Sequence, residues 1–297
     1  MRVIVVRNAG SGTTRRRKQL DTLVSGLKAH GARVDIEAPD SAEATRAVAA
    51  DVNLDNYDVL VVAGGDGTLH AAVNGLVNVL KNRRPPLAIL PVGRGNDFAA
   101  ELGLKTIEDT FASIVDNRRT RVDLGKTEAG VFLGVAGAGF DAQTARRAQK
   151  TPFLSGSLLY SYAAFRTLLE FRHIDARIGY DGGFYEGPIT FAAVGNSRRY
   201  GGGMRIAPRA ELDDGLLDLC LVRDISRLGL VSMFPTVFSG RHLGHRSVDY
   251  RQTRHVTIET TEPAEVFADG EYLQQTPTRI DVLAGELEVL THASVLR

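Results

Sequence analysis

The segment Gly64-Gly65-Asp66-Gly67-Thr68 has the composition of a loop that binds phosphate. It follows the apolar run at 59–63 and precedes a pattern typical of a helix. Glycines let backbone N–H groups approach an anion closely, and the first helical turn adds the positive end of its dipole. We expect Thr68 to cap this helix and to donate to a phosphate oxygen. Asp66 would repel a naked phosphate, so we expect it to meet a metal ion or a ribose hydroxyl. The loop predicts a nucleotide site, and a capped structural turn is the alternative.

Two further glycine-bearing loops follow other predicted strands. They are Asn8-Ala9-Gly10-Ser11-Gly12 and Gly93-Arg94-Gly95-Asn96-Asp97. Arg94 can pair with phosphate oxygens, and Asn96 or Asp97 can cap the helix that comes next. Loops at the carboxyl ends of parallel strands meet at one edge of a sheet. We therefore expect the three loops to line a single nucleotide site.

Two acidic turns in the second half of the chain are candidates for metal binding and proton transfer. Asp213-Asp214-Gly215 offers a carboxylate and nearby carbonyl oxygens, which are the ligands that Mg²⁺ prefers. Asp269-Gly270 lies between apolar residues and predicts a hairpin turn. Phosphoryl transfer needs positioning, charge neutralisation and a base near the attacking hydroxyl. On the residues alone, a purely structural turn stays open as the alternative at Asp213-Asp214-Gly215 and is the favoured interpretation at Asp269-Gly270.

The elements that would position these residues change in character along the chain. Up to about residue 122, short continuous apolar runs alternate with helical patterns. Continuous apolar runs indicate strands covered on both faces, as in a parallel sheet with crossover helices. We predict a doubly wound α/β nucleotide-binding domain over residues 1–122. Its strands are expected at 2–7, 33–36, 57–63 and 87–91, and its helices at 15–30, 41–50 and 68–80.

From residue 123 onwards, strand-like runs dominate, and tight turn signals such as Asp181-Gly182-Gly183 separate them. This pattern predicts a C-terminal antiparallel β-sandwich-like domain over residues 123–297. Its strands are expected at 131–136, 176–180, 187–194, 216–221, 255–260, 265–268, 278–283 and 288–291, with helices near 155–171 and 226–238.

The bulk properties exclude several classes of protein. The net charge of +1 gives no global attraction to nucleic acid, so we expect no nucleic-acid partner. The single cysteine, Cys220, is typical of a reducing compartment, and we expect a cytoplasmic protein. No run approaches the roughly 18 apolar residues of a membrane-spanning helix. The dinucleotide fingerprint G-x-G-x-x-G is absent from the Gly64 turn. Gly125-Lys126-Thr127 matches only the end of a P-loop, because Thr120 stands where a glycine is required.

Taken together, these motifs resemble the catalytic-domain family of diacylglycerol kinases, which includes bacterial lipid kinases and, more distantly, sphingosine kinases. The resemblance covers nearly the whole chain. The segments that carry it are Gly64–Thr68 (GGDGT), the run from Pro91 to Ala99, Asn8–Gly12, Gly201–Gly203, Ala207-Pro208, the run from Leu212 to Leu217, and Asp269-Gly270-Glu271. GGDGT alone also occurs in NAD kinases and phosphofructokinases. Together with the later acidic segments in this order, it becomes specific.

The resemblance implies an α/β nucleotide domain, a β-rich second domain with a cleft between them, and a chain end that returns to the first domain. It implies ATP as co-substrate and Mg²⁺ as cofactor. The implied metal ligands are Asp214 and the backbone carbonyls of Glu211 and Leu216. Asp269 or Glu271 would supply the base, with Glu271 at the usual acceptor position, and Asp123 matches a further acid. The implied nucleotide-binding residues are Asn8, Gly64, Gly65, Asp66, Gly67, Thr68, Arg94, Asn96 and Asp97.

The chain departs from the family pattern at four places, all of them on the nucleotide side. Arg94 replaces a usual threonine, His70-Ala71 replaces a common Asn-Glu, and Asn8-Ala9 replaces Asn-Pro. The threonine that often contacts the nucleotide after the second strand is missing near Glu37-Ala38. The catalytic acids are intact, so these departures bear on nucleotide contacts more than on activity.

Several apolar and basic residues bear on which acceptor the protein phosphorylates and where it meets that acceptor. Two helical stripes can either pack in the core or line an acyl-chain groove and dip into a membrane interface. They are Leu158, Tyr162, Phe165 and Leu169, and then Leu230, Phe234, Val237 and Phe238. Arg15-Arg16-Arg17-Lys18 can meet anionic headgroups or water. We predict a kinase that meets a lipid substrate at the membrane surface, peripherally associated, and a homodimer is plausible. The alternatives are a kinase of a soluble alcohol and a binding protein that has lost catalysis.

Overall fold

The structure is a computed structural model, and it describes residues 1–8, 14–93, 95–139, 167 and 173–292. The chain divides into two compact units. The first unit comprises Met1–Val122 and Gly285–Arg297, and the second comprises Asp123–Ala284. The chain therefore leaves the first unit once and comes back to it at its end.

The first unit is built on a parallel sheet. Its strands are β1 (Arg2–Arg7), β2 (Arg33–Glu37), β3 (Val59–Gly64) and β4 (Leu87–Pro91), and its helices are α1 (Thr14–Ala29), α2 (Ala42–Asp51), α3 (Asp66–Leu76), α4 (Asp97–Glu101) and α5 (Ile107–Asp116). The strands lie in the order β2-β1-β3-β4 and are parallel. Near the end of the chain, Val289 adds a further parallel pairing beside Leu87.

Both faces of this sheet are covered, which explains the continuous apolar runs. Alternate residues of β3, such as Val59 and Val61, join a core with Leu23 of α1 and Ile114 of α5. On the opposite face α2 packs against α3, and each also contacts the sheet. The prediction of a doubly wound α/β domain is confirmed.

Helix α3 is shorter at its end than the sequence predicted, finishing at Leu76 rather than near residue 80. The Arg84 guanidinium donates 2.7 Å hydrogen bonds to the carbonyls of Val77 and Val79. Carbonyls at a helix end need partners of this kind. A side chain that comes later in the chain therefore ends the helix, and no local stop signal marks the place.

The second unit is mainly antiparallel. Its strands, two of them shared with the first unit, are β5 (Arg119–Thr127), β6 (Gly130–Phe132), β7 (Val135–Gly139), β8 (Ile174–Tyr180), β9 (Gly183–Gly195), β10 (Leu217–Arg223), β11 (Val248–Thr253), β12 (His255–Thr260), β13 (Glu265–Ala268), β14 (Glu271–Gln275) and β15 (Thr278–Leu290), and its described residues include the helix α6 (Arg227–Val237). Strand β9 serves two groups of strands. Its first half pairs with β8, and its second half lies between β7 and β10.

Side chains from both groups of strands meet in one core that includes Ile178, Val194, Leu219 and Val256. The opposite faces of β9 and β10 pack against α6 in a second core. The predicted β-sandwich-like domain is confirmed.

The strand limits differ from the prediction in three ways. The run at 131–136 is two strands, β6 and β7, and the runs at 278–283 and 288–291 are a single strand, β15, in which Gly285 has a φ of 54°. Strands β5, β11 and β14 were not predicted. The helix expected at 155–171 lies outside the described residues, apart from Thr167, which is helical and buried.

Candidate active site

The Gly64–Thr68 loop begins α3 earlier than expected. Gly65 is the N-cap residue, with extended backbone and no side-chain cap, and the helix starts at Asp66. Thr68 therefore lies in the first turn, and the prediction that it caps the helix is wrong. Its side chain instead covers Gly64, where an added Cβ would come within 2.5 Å of the Thr68 Cβ. The N–H groups of a first helical turn have no partner within the helix, so they can receive an anion.

The second loop is tied directly to the first. The Asn96 N–H donates a 2.9 Å hydrogen bond to Oδ2 of Asp66. A Cβ on Gly93 would lie 2.2 Å from the Cα of Gly65, so only glycine fits there. Asp66, expected to meet a metal ion or a ribose, thus has one carboxylate oxygen engaged in joining the two loops.

Asn96 is the N-cap residue of α4 but does not cap it through its side chain. Its backbone is left-handed, with a φ of 59°, and its Oδ1 accepts a 2.9 Å hydrogen bond from the Gly93 N–H. Asn96 thus has the expected N-cap position, but its side chain closes its own loop instead of bonding to the helix. Asp97 is the first residue of α4.

Asn8 follows β1 at the same sheet edge, since Arg7 pairs with Ala63 just before the glycine loop. Arg94 and residues 9–13 lie outside the described residues. The structure thus brings Asn8, the Gly64–Thr68 loop and the Asn96 loop to one edge of the sheet, as the three-loop argument predicted.

In the second unit, Asp123 organises the acidic segment around residues 211–216. Asp123 is buried, its N–H donates to the Leu212 carbonyl at 2.6 Å, and its Oδ2 accepts a 2.7 Å hydrogen bond from the Gly215 N–H. Asp214 accepts from the Leu216 N–H at 2.9 Å and from the Gln252 amide at 3.4 Å. We call residues 211–216 the acid loop.

The acid loop concentrates negative charge. Burial, followed by the charges of Asp123 and Glu211, raises the pKa of Asp213. Burial also raises the pKa of Asp214, opposed by the Leu216 N–H and reinforced by the neighbouring acids. Each anion makes its neighbour harder to ionise, and a bound cation would relieve this repulsion.

The predicted metal ligands are close in sequence but do not form a side-chain cage. Within the described ranges, no three His, Cys, Asp or Glu side chains converge on a position for a metal ion. Mg²⁺ often binds through one or two carboxylates and several waters. The oxygen-rich acid loop therefore fits Mg²⁺ only in this mode, with Asp214 and backbone carbonyls as protein ligands.

The Asp269-Gly270 turn is the predicted hairpin, and it links β13 to β14. Both residues have positive φ, 53° and 85°, as a two-residue type I′ hairpin turn requires. Oδ2 of Asp269 accepts a 3.0 Å hydrogen bond from the Leu133 N–H, and Oδ1 accepts a 2.7 Å hydrogen bond from the Gly134 N–H. These bonds break the predicted strand at 131–136, because the two N–H groups serve the carboxylate.

The two acids of this turn therefore have different environments. Asp269 is half-buried and holds the backbone at Leu133 and Gly134 through both of its oxygens. Glu271 is exposed at the first position of β14. Of the two candidates for the base, Glu271 is the more exposed residue.

Asn196 is a residue that sequence reasoning missed. Fully buried, it donates from Nδ2 to the carbonyls of Asp123 (2.9 Å) and Leu133 (2.8 Å), and its N–H donates to the Gly134 carbonyl (2.8 Å). It thereby joins Asp123, which anchors the acid loop, to the Leu133–Gly134 backbone, which holds Asp269. The signal was a polar residue directly after the long apolar end of β9.

Comparison with known proteins places this geometry in a family. Residues 2–127 match the diacylglycerol kinase catalytic domain, and residues 134–291 match the YegS C-terminal NAD kinase beta sandwich-like domain. A diacylglycerol kinase of Mycobacterium tuberculosis is 33% identical over 298 residues, which span 97% of this chain and 94% of that protein. The chain belongs to the diacylglycerol kinase family. A diacylglycerol kinase of Staphylococcus saprophyticus is 29% identical over 292 residues, spanning 98% of this chain and 95% of that protein.

Solved structures agree with this membership of the diacylglycerol kinase family. A candidate diacylglycerol kinase of Bacillus anthracis strain Sterne has a TM-score of 0.81 and 26% identity to this chain. The match covers 98% of this chain and 97% of that one. The resemblance drawn from the motifs is thus confirmed. As a member of the family the chain is a kinase, and a kinase of this family implies ATP as co-substrate. None of its described helices has the length and apolar character needed to cross a bilayer.

Proposed function

We propose that this protein is a lipid kinase that transfers the γ-phosphoryl group of ATP to the hydroxyl of a diacylglycerol-like lipid, with Mg²⁺. The observation that carries the proposal is the split between Asp269 and Glu271. One acid anchors the turn through two backbone N–H groups, and the other is left exposed beside it. Relatives that match nearly the whole chain are named diacylglycerol kinases, and these names support a lipid as the acceptor.

The first unit supplies the donor site in this proposal. Phosphate oxygens would accept hydrogen bonds from the N–H groups of the Gly64–Thr68 loop and the first turn of α3. Asp66 keeps the second loop in place through the Asn96 N–H. Asn8, Gly67, Arg94 and Asp97 complete the proposed nucleotide-binding set, and their individual contacts to the nucleotide stay predictions.

Mg²⁺ is proposed to bind at the acid loop through Asp214 and the carbonyls of Glu211 and Leu216. Bound there, the ion would neutralise charge that develops on the transferring phosphoryl group. The protein's part is to hold the loop. Asp123 fixes it through Leu212 and Gly215.

Glu271 is proposed to accept the proton of the lipid hydroxyl as that oxygen attacks the γ-phosphorus, while the bond from this phosphorus to the oxygen that bridges it to the β-phosphate breaks and ADP leaves. Asp269 is a positioning residue, because its oxygens fix the turn to the Leu133–Gly134 backbone. Asn196 extends this support to the acid loop.

The test is a phosphorylation assay with radiolabelled ATP and a panel of acceptors: diacylglycerol, a sphingoid base, a polyprenol and a soluble alcohol. We expect Mg²⁺-dependent labelling of diacylglycerol, with loss in EDTA. Glu271→Gln should abolish labelling, while the matched variant Glu259→Gln, at an exposed acid of β12, should retain it. Labelling of the soluble alcohol alone, or ATP binding without turnover on any acceptor, would overturn the proposal.

A further inference from the structure

Helix α6 has two apolar faces. The inner face packs Leu230, Met233 and Val237 into the second core of its unit. The sequence left open whether the stripe Leu230, Phe234, Val237 and Phe238 packs in the core or meets a membrane. The structure assigns its first three residues to the core, with Phe234 partly buried, and only Phe238 to the solvent side.

The solvent side of α6 carries a different stripe, which sequence reasoning did not single out. It consists of Leu228, Val231, Pro235 and Phe238, at intervals of three, four and three, and we call it the α6 outer face. Leu228 is 83% exposed, Val231 47% and Phe238 37%. Such spacing places the four residues along one side of the helix. A contiguous exposed apolar stripe of this kind marks an interaction site more often than scattered single residues do.

The segment that carries this face is basic and lacks acids. Residues 225–248 contain no Asp or Glu and three arginines, Arg227, Arg241 and Arg246, all exposed. The segment therefore has a net charge of +3 with neutral histidines, whereas the whole chain has +1. The 3₁₀ turn Arg241–Gly244 packs against α6, so Arg241 is held near the end of the stripe.

We infer that the α6 outer face docks on the surface of an anionic phospholipid bilayer. Leu228, Val231 and Phe238 enter the boundary between headgroups and acyl chains, and the arginines meet lipid phosphates. The inference rests on the proposed lipid kinase function, whose acceptor resides in such a bilayer. Because the inner face is packed in the core, the helix is already ordered, and docking needs no folding step.

The charge of the segment favours a bilayer over a second copy of the chain. A two-fold symmetric interface places the same surface patch on both partners. Two copies of this face would bring +3 against +3, whereas an anionic headgroup layer neutralises that charge.

The first experiment measures sedimentation of the full chain with vesicles of phosphatidylcholine alone or mixed with phosphatidylglycerol. We expect binding to the mixed vesicles. Leu228→Gln/Val231→Gln should weaken it about tenfold or more, because inserting even one aliphatic side chain is worth roughly that factor. Leu80→Gln, which removes an apolar residue that is 68% exposed on the first unit, should bind like wild type. Arg241→Gln/Arg246→Gln should lose the dependence on phosphatidylglycerol.

The second experiment separates docking from catalysis. Wild type should phosphorylate both a short-chain diacylglycerol dissolved as monomers and a long-chain diacylglycerol in vesicles. The Leu228→Gln/Val231→Gln variant should keep the first activity and lose most of the second. If wild type phosphorylates neither acceptor, the proposed function fails, and sedimentation still decides on docking.

Three results would overturn the docking inference. They are wild-type failure to bind mixed vesicles, wild-type-like binding by Leu228→Gln/Val231→Gln, and a wild-type dimer that this variant dissociates without any loss of vesicle binding. Thermal melting of the variant checks its fold, and the single substitution Leu228→Gln repeats the test with less perturbation.

Discussion

Replacing each acid of the Asp269-Gly270-Glu271 turn by its amide should produce two different failures. Asp269→Asn leaves one acceptor oxygen for two N–H donors, those of Leu133 and Gly134. The amide nitrogen then faces a donor, and a charge-assisted hydrogen bond is lost. Such bonds are worth about 1.5–3 kcal/mol, so the free energy of unfolding should fall by about 2–3 kcal/mol. Asparagine tolerates the left-handed backbone of this position. The fall in the free energy of unfolding therefore measures the hydrogen bonds of the carboxylate and not strain in the turn.

Glu271→Gln should behave in the opposite way. The residue is exposed, and surface substitutions change stability by about 0.5 kcal/mol or less. Removing a general base costs about 10²–10⁴ in rate. The variant should therefore melt like wild type and have almost no kinase activity.

The assay pairs urea unfolding with kinase kinetics on the same preparations. Gly134→Ala is a matched probe, since its Cβ would come within 2.8 Å of Oδ1 of Asp269 and should mimic the stability loss of Asp269→Asn. The reasoning is refuted if Asp269→Asn is as stable as wild type, or if Glu271→Gln keeps activity within about threefold of wild type.

Three further predictions concern other parts of the molecule. Gly93→Ala should raise the KM for ATP with a smaller effect on KM for lipid, because its Cβ would collide with the Gly65 backbone at 2.2 Å; equal effects on both would contradict this. Burial raises the pKa of Asp218 to about 6. Below about pH 4 the Asp218 carboxyl is protonated in both the folded and the unfolded protein. Between about pH 4 and 6 it ionises in the unfolded protein first, which lowers the free energy of unfolding. Above about pH 6 this loss of stability stays at about 3 kcal/mol. Asp218→Asn in EDTA should therefore stabilise the protein at pH 7.5 and not at pH 4, and urea melts with no gain at pH 7.5 would refute it. Burial pushes the pKa of Glu286 upward, but hydrogen bonds from Arg84 and a neighbouring lysine outweigh it and lower that pKa. Its contribution is present above the unfolded pKa and lost as pH falls, so Glu286→Gln should destabilise at pH 7 and match wild type in strong acid; a difference that persists at low pH would count against the ion pair.

The sequence predicted the fold class, and the position of Asn8, the Gly64–Thr68 loop and the Asn96 loop at one sheet edge, because these depend on local patterns. A continuous apolar run such as β3 indicates a strand that is buried on both faces. A glycine loop directly after such a strand must lie at the carboxyl edge of the sheet. The hairpin at Asp269-Gly270 was likewise readable from its two turn residues.

What the sequence could not predict depends on partners far along the chain. The run at 131–136 splits because Asp269, about 135 residues later, takes two of its N–H groups. Thr68 is a local exception: it does not cap α3, because Gly65, three residues earlier, is already the N-cap. Asn196 has no motif of its own, and its role is visible only from the three backbone groups it joins.

The same long-range contacts give the two acids of the motif different surroundings. Asp269 and Glu271 are equivalent candidates on paper, two residues apart in one acidic motif. The carboxylate of Asp269 accepts two backbone hydrogen bonds, and Glu271 is an exposed residue. The prediction that Asp269→Asn loses stability and Glu271→Gln loses activity therefore depends on the surroundings of the two side chains and not on their residue types.

The most direct measurement of the central claim is product stoichiometry. Purified protein is incubated with ATP, Mg²⁺ and diacylglycerol, and ADP and phosphorylated lipid are quantified together. The account predicts one phosphorylated lipid for each ADP, and neither product with Glu271→Gln. Formation of ADP without phosphorylated lipid, or an equal yield of phosphorylated lipid from Glu271→Gln, would contradict it.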